Sequence, residues 1–434
     1  MNLTRKEILP GVFLNHLETG KFKTACLSIS LLTQLSGETA SMNALIPHVL
    51  CRGTSSLRDL EALSNRLDEL YGTEVEPLIR KSGEIQSIGL YASFPEEKYL
   101  PEVHGFTEEV ISLVGEMLLN PATRGGLFLP DYVESEKEKL ADLIRSRIND
   151  KRSYALSRCA EEMCCFEDYS VNRLGSEEAC RQISYKKLTR HYRKMLQVCP
   201  VEIIYCGSEG AEKIEKILSD ALCTLPRGEI DWEIGTDIRM NSVEEEVRLF
   251  EERLSIGQGK LVMGYRLGEC MLEPDIPAQM VFNCVFGSGV TSKLFMNVRE
   301  KLSLCYYASS LLDKKKGLMF VQSGIDFDRY EAAVAEIGRQ LDDVRLGNIS
   351  EEELKWAVKG ICSDLSAVED SLHSVESFWF SNIVSGLDWS PKELAELVLE
   401  VKREDVSAVA KSIVPDLIYF LRNNQEGEEE AFGE

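Results

Sequence analysis

The chain has 434 residues, with 49 Lys and Arg set against 72 Asp and Glu, a formal net charge of −23 and a composition 44% hydrophobic and 28% charged. Such a length allows two or three domains with cores of their own. So acidic a surface disfavours nucleic acid and anionic membrane as partners, because their affinity comes largely from Lys and Arg releasing counterions.

No apolar run approaches the roughly 18 residues of a spanning helix. Met1 to Gly20 carries Arg5, Lys6, Glu7 and Glu18 where a signal peptide would be apolar, so a cytoplasmic protein is expected. The 13 cysteines are odd in number, irregularly spaced and without any Cys-x-x-Cys pair. They read as reduced, mostly buried thiols, the vicinal Cys164 and Cys165 included.

In chain order, strand patterns at 11–16 and 25–32 end at Gly37. A helix is expected over 39–50. After the turn Arg52-Gly53-Thr54 comes a second helix, on which Leu57, Leu60, Leu63, Leu67 and Leu70 recur at helical spacing up to Gly72. Alternating runs at 75–79 and 85–91 flank Lys81-Ser82-Gly83-Glu84 and predict a hairpin. Helices are expected over 99–118, 131–162 and 183–195, then a strand over 201–207. Strands alternating with helices in this way argue for an α+β sandwich layer.

The second half repeats the order: a strand at 259–267, helices near 277–286 and 292–301, and strands at 304–312 and 318–325. Helices at 329–345, 350–385 and 402–413 precede a closing strand at 417–421. Two local matches fix the spacing. The run at Ile183 resembles the run at Val401, 218 residues on, and Leu129 before one long helix corresponds to Ile349 before the other, 220 residues on. Helix caps fall at matching points, loosely at Ser184 and Lys402 and clearly at Asp131 and Ser350. The agreement implies a tandem duplication. Residues 224–246, with Pro226, Gly228, Gly235 and Glu244-Glu245-Glu246, read as a linker, and 424–434 as a Glu-rich disordered tail.

The most specific stretch runs from Ser292-Lys293-Leu294-Phe295 through Arg299-Glu300-Lys301 to Leu304-Cys305-Tyr306, preceded by Phe286-Gly287-Ser288-Gly289. Gly287-Ser288-Gly289 imitates a dinucleotide fingerprint, but Ser292 replaces its third glycine and no phosphate-binding Gly-Lys-Ser/Thr follows. As a whole the stretch closely resembles the C-terminal-domain signature of the insulinase and pitrilysin-type zinc metallopeptidases, the inverted-motif zincins. The resemblance extends over nearly the whole chain. It implies two tandem homologous α/β-sandwich domains of the pitrilysin and mitochondrial-processing-peptidase type: 1–223, a linker at 224–246, 247–423, and the tail.

Members of that family hold zinc with His-x-x-Glu-His on the first helix, where the two His share a face and the Glu activates water. With Cys51-Arg52-Gly53-Thr54 as the matching turn, the motif falls on Ala44-Leu45-Ile46-Pro47-His48, and only His48 survives. Ala44 offers no lone pair and Pro47 no proton acceptor. Glu134, Glu136 and Glu138 lie on the later helix. If Glu136 matches the family's outer-shell Glu, the third-ligand position is Leu143, beside Asp142. No catalytic residue and no metal site are therefore assigned to this chain.

Arg299 and Tyr306, by contrast, match the Arg and Tyr that the family turns toward peptide and zinc, where a guanidinium fork pairs with a carbonyl and a phenol donates to an oxyanion. The bland alternative is a helix-capping Arg and a strand Tyr. The pattern resembles the non-catalytic subunit of a heterodimeric peptidase, and most of all a two-domain bacterial type whose name links it with elongation factor P modification. Zinc would then sit in a zinc-bearing paralogous partner, with no cofactor here and a peptide or unfolded protein as substrate; a homodimer in isolation stays open. So do a purely structural scaffold or peptide-binding protein, and an active hydrolase with a metal site rebuilt around His48, Cys51 and Cys164 or Cys165.

Overall fold

The computed structural model describes residues 3–424. Its chain divides into two compact units: the first holds residues up to 145, 171–235 and 368–390, the second 146–170, 236–367 and those from 391 onward. The limits read from the sequence are unbroken stretches. The units are not, because each half of the chain gives one helix to the sheet of the other unit. The tail assigned to 424–434 lies outside the described residues, Asn424 apart.

The first unit is built on β1 (Leu3–Leu9), β2 (Val12–Glu18), β3 (Thr24–Gln34), β4 (Glu74–Ser82), β5 (Ile85–Pro95) and β8 (Val201–Gly207), with a small ribbon of β6 (Thr123–Arg124) and β7 (Leu127–Phe128) to one side. The sheet order is β1-β2-β8-β3-β5-β4, with β2 and β8 parallel and the other pairs antiparallel. Alternation sorts the side chains. Leu27, Ile29 and Leu31 of β3 and Ile203 and Tyr205 of β8 join a core built with helices Ala40–Leu50, Phe106–Leu119, Pro130–Ser146 and Tyr185–Val198. On the opposite face Cys26, Ile204 and Cys206 meet Leu372, Val375, Trp379 and Phe380 of helix Leu372–Val384. Cover on both faces explains why β8 is buried at every residue.

The second unit contains β9 (Arg248–Leu254), β10 (Gly259–Arg266), β11 (Tyr307–Asp313), β12 (Leu318–Ile325) and β13 (Val414–Asn423) in the order β11-β12-β10-β13-β9. With β9 standing for β2, β13 for β8, β10 for β3, β12 for β5 and β11 for β4, the two orders are the same. Among the described strands of the two large sheets, β1 lacks a counterpart. One face of this sheet packs on Ala155, Cys159 and Met163 of helix Lys151–Met163, which comes from the first half of the chain.

Both exchanged helices arise from the same local event. The helices expected over 131–162 and 350–385 each break, into Pro130–Ser146 and Lys151–Met163 in one half and Glu351–Ala367 and Leu372–Val384 in the other. The Asp150 carboxylate accepts from the N–H groups of Arg152 and Ser153, and the Ser371 hydroxyl accepts from the N–H of Ser374. These caps start a new helix where the apolar periodicity alone runs on.

Residues 222–247 hold no helix or strand, yet they are pinned down. Arg227 donates to the carbonyls of Pro10, Leu196 and Cys199, and Trp232 meets Phe13 edge-on in the first unit. In the second, Lys316 donates to the carbonyl of Asp237.

Candidate functional site

Helix Ala40–Leu50 carries Ala44, Pro47 and His48, the stretch that the family resemblance aligns with the zinc motif. Every residue on it is buried except His48, which is half-buried. Ala44 is part of the first unit's apolar core, and Pro47 sits inside the helix, where it has no N–H to give. The turn that follows depends on Gly53, at φ +147°; a Cβ there would stand 2.6 Å from the carbonyl oxygen of Leu57. Thr54 closes the turn, donating its N–H to that carbonyl at 2.6 Å and accepting the N–H of Leu57 at 3.0 Å.

The turn aims Arg52 at the later helix. Its guanidinium donates to Glu136 at 3.2 Å and lies over the Tyr132 ring at 4.8 Å, while Lys139 reaches the same Glu136 oxygen at 2.7 Å. The buried carboxylate at this corner is thus answered by two cations. Burial pushes the His48 imidazole below its ordinary pKa, with the Glu136 charge acting the other way and Lys139 with it. Burial, helped by Glu136 and Glu76, pushes the Cys51 thiol up to about 12. Leu143 is exposed, Asp142 pairs with Arg145 at 3.0 Å, and Glu134 pairs with Lys137. Cys164 and Cys165 belong to the second unit. Among the described residues no three His, Cys, Asp or Glu side chains gather in a metal-binding group.

The second unit holds the signature stretch. Helix Ile276–Asn283 passes into a π-helical segment, Cys284–Ser288, and a second π-helical segment spans Leu294–Lys301. The N–H of Gly289 bonds the carbonyl of Cys284 and that of Leu302 the carbonyl of Asn297, the i to i+5 pattern that often marks functional segments. Inside this frame Leu294 and Val298 are fully buried, and Lys293 is tied to Glu353 at 2.9 Å. Arg299 and Tyr306 are not spent on the core. The Arg299 side chain keeps 42% of its surface, touching Glu300 at 3.5 Å and covering the Phe295 ring at 4.8 Å. Tyr306 keeps 60% of its surface; its hydroxyl donates to Asp326 at 3.3 Å and its N–H to the carbonyl of Gly324. Ser303, at φ +50°, makes the turn between them, so β11 begins at Tyr307 and not at 304 as the pattern implied.

A family model described as the peptidase M16 inactive domain matches residues 182–361. The "Probable inactive metalloprotease YmfF" of Bacillus subtilis (strain 168) is 31% identical over 417 residues, 96% of each chain. The chain belongs to the M16 peptidase family. Among solved structures, a conserved protein from Enterococcus faecalis V583 is similar with a TM-score of 0.89 at 26% identity, over 99% of this chain and 100% of that one. A peptidase M16 inactive domain from Pseudomonas fluorescens, with a TM-score of 0.78 at 14% identity over 98% and 99% of the two chains, shares the fold.

Zinc, which an active M16 peptidase needs, does not fit the residues of this homologue. Helix Ala40–Leu50 offers one imidazole, that of His48, and Pro47, aligned by the family resemblance with the water-activating carboxylate, has no proton acceptor. The nearby Glu136 already has Arg52 and Lys139 as counter-charges. With this donor set the M16 homologue is not a peptidase on its own.

Proposed function

We propose that this M16 homologue is the non-catalytic subunit of a heterodimeric peptidase, and that it supplies Arg299 and Tyr306 to a peptide whose hydrolysis is carried out by a zinc-bearing paralogous subunit. One observation carries the reading. Within a signature whose framework residues Leu294 and Val298 are fully buried, Arg299 and Tyr306, the two positions that the family resemblance assigns to peptide binding, keep free surface, with the exposed Glu300 and Lys301 beside Arg299. A guanidinium fork suits a peptide carbonyl or carboxylate, and a phenol can donate to an oxyanion. The edge strands β4 and β11 offer backbone groups to an extended peptide, which favours binding without strict sequence preference. A cytoplasmic location accords with the reading; no helix among the described residues is long and apolar enough to cross a membrane.

The test is reconstitution with an M16 paralogue from the same organism that has an intact His-x-x-Glu-His. The mixture cleaves a quenched fluorescent peptide, neither chain does so well alone, and Arg299→Ala lowers turnover at least tenfold. Unchanged turnover with Arg299→Ala favours a scaffold role and removes the proposal.

A further inference from the structure

Of the 13 cysteines, none of them in a disulfide, two stand directly opposite each other on neighbouring antiparallel strands: Cys26 of β3 and Cys206 of β8. Opposed residues in such a pair have Cα atoms about 4.5–5.5 Å apart and side chains on one face. That lies within the roughly 4.4–6.8 Å that a disulfide spans. Both thiols are 0% exposed, sealed by Leu372, Val375, Trp379 and Phe380 of the exchanged helix Leu372–Val384. We propose that Cys26 and Cys206 form a reversible dithiol–disulfide site, and that docking of this helix on the first unit's sheet controls access to it.

The same helix sets the chemistry of the thiols. Its Glu376 is fully buried, bound by Arg80 at 2.9 and 2.6 Å and by the Ser28 hydroxyl at 2.6 Å. A hydrogen bond with Cys206 and burial, with the Glu376 charge adding to them, hold the Cys26 thiol well above its ordinary pKa, and Tyr91 bonds it from β5. A protonated, water-excluded thiol is a poor nucleophile. Lifting the helix removes both the burial and the Glu376 charge. A peroxide then completes the step: the Cys26 thiolate attacks one oxygen, the O–O bond breaks, and a sulfenic acid forms as hydroxide leaves and takes up a proton. The Cys206 sulfur then attacks the Cys26 sulfur and displaces its hydroxyl, which leaves as water with the Cys206 proton, so two thiols lose two electrons and one peroxide becomes two waters.

The test exposes the full chain to hydrogen peroxide and follows the cross-link by non-reducing mass spectrometry, with Cys26→Ser and Cys206→Ser as controls. A Cys26–Cys206 disulfide should form slowly, at least tenfold faster in Glu376→Gln, and revert with dithiothreitol. Should Glu376→Gln fail to fold, Phe380→Ala, which thins the same cover, makes the comparison. The proposal is overturned if no such cross-link forms by the time the exposed Cys165 and Cys223 are fully oxidised, or if its rate is the same in wild type and in the folded variant.

Discussion

The two units share one strand order and each packs one helix from the other half of the chain by apolar contact, yet the charges that accompany that contact differ. In the first unit the incoming helix Leu372–Val384 rests mainly on apolar contact, through Leu372, Val375, Trp379 and Phe380, with a single buried ion pair between Glu376 and Arg80. In the second, the stretch after helix Lys151–Met163 is fixed by a charge network. Arg266 binds Asp416 and Glu167 at 2.7 Å each, Arg248 binds Asp416 at 2.6 Å, and Lys316 binds Glu167 at 2.6 Å. Arg266 and Arg248 also donate to the carbonyl of Met163, the last residue of the exchanged helix. The same topology is thus kept with two different sets of charges around the exchanged helix.

The largest effect that would break this contrast is expected at Arg266. Its replacement by Met leaves Asp416 and Glu167 buried with fewer partners, and removing one member of a buried charge set costs about 3–5 kcal/mol. Urea unfolding should show that loss, and limited proteolysis should cut within 146–170. Glu376→Ala should cost less, about 3 kcal/mol, because Arg80 is partly open to water and the apolar contacts of the helix remain. A loss at Glu376 equal to or above that at Arg266 would contradict the distinction.

Acid separates the units by pH window. Burial raises the Glu167 carboxyl, but the bonds from Arg266 and Lys316 outweigh it and hold its pKa below the ordinary value. Its contribution is present above the unfolded carboxylate range, near pH 4.3, and fades as pH falls through the lower folded pKa. All five histidines are in the first unit. His191, bonded to Asn43 at 2.5 Å, is lowered by burial, and by Lys194 and Lys187, to about 4. An imidazole that stays neutral in the fold but protonates when unfolded withdraws stability as pH drops from about 6.5 to 4. Burial lowers His48 as well. Hydrogen exchange between pH 7 and 4.5 should therefore show the first unit loosening before the second, and His191→Gln should narrow the gap. The smallest effect is expected at Arg299 and Tyr306, whose exposed side chains should change stability by less than about 0.5 kcal/mol when replaced by Ala or Phe.

Strands with alternating or continuous apolar text were legible in the sequence; 201–207 coincides with β8. β9 was not, since Arg248, Glu251, Glu252 and Arg253 give an edge strand the look of a charged linker. β1 escaped for the same reason, with Arg5 paired to Glu202 and Lys6 to Glu215. The helix exchange was not legible either, because Arg80 meets Glu376 across 296 residues and a broken periodicity does not say where the second piece goes. At the candidate site, the expectation that Ala44 stands where the family has a zinc ligand and Pro47 where it has the water-activating Glu came from the family resemblance anchored on the Gly53-Thr54 turn. The pairing of Glu136 with Arg52 and Lys139 needed the packed helices, as did the free surface at Arg299 and Tyr306 beside the buried Val298 and Cys305.

The central claim is that this chain supplies binding groups and not the zinc centre. Peptide turnover by the reconstituted pair, with wild-type chain against Arg299→Ala, tests it most directly. No zinc-dependent cleavage by the chain alone is expected, and at least a tenfold fall in the pair's turnover with the variant. Zinc-dependent cleavage by the isolated chain that disappears with His48→Ala would contradict it.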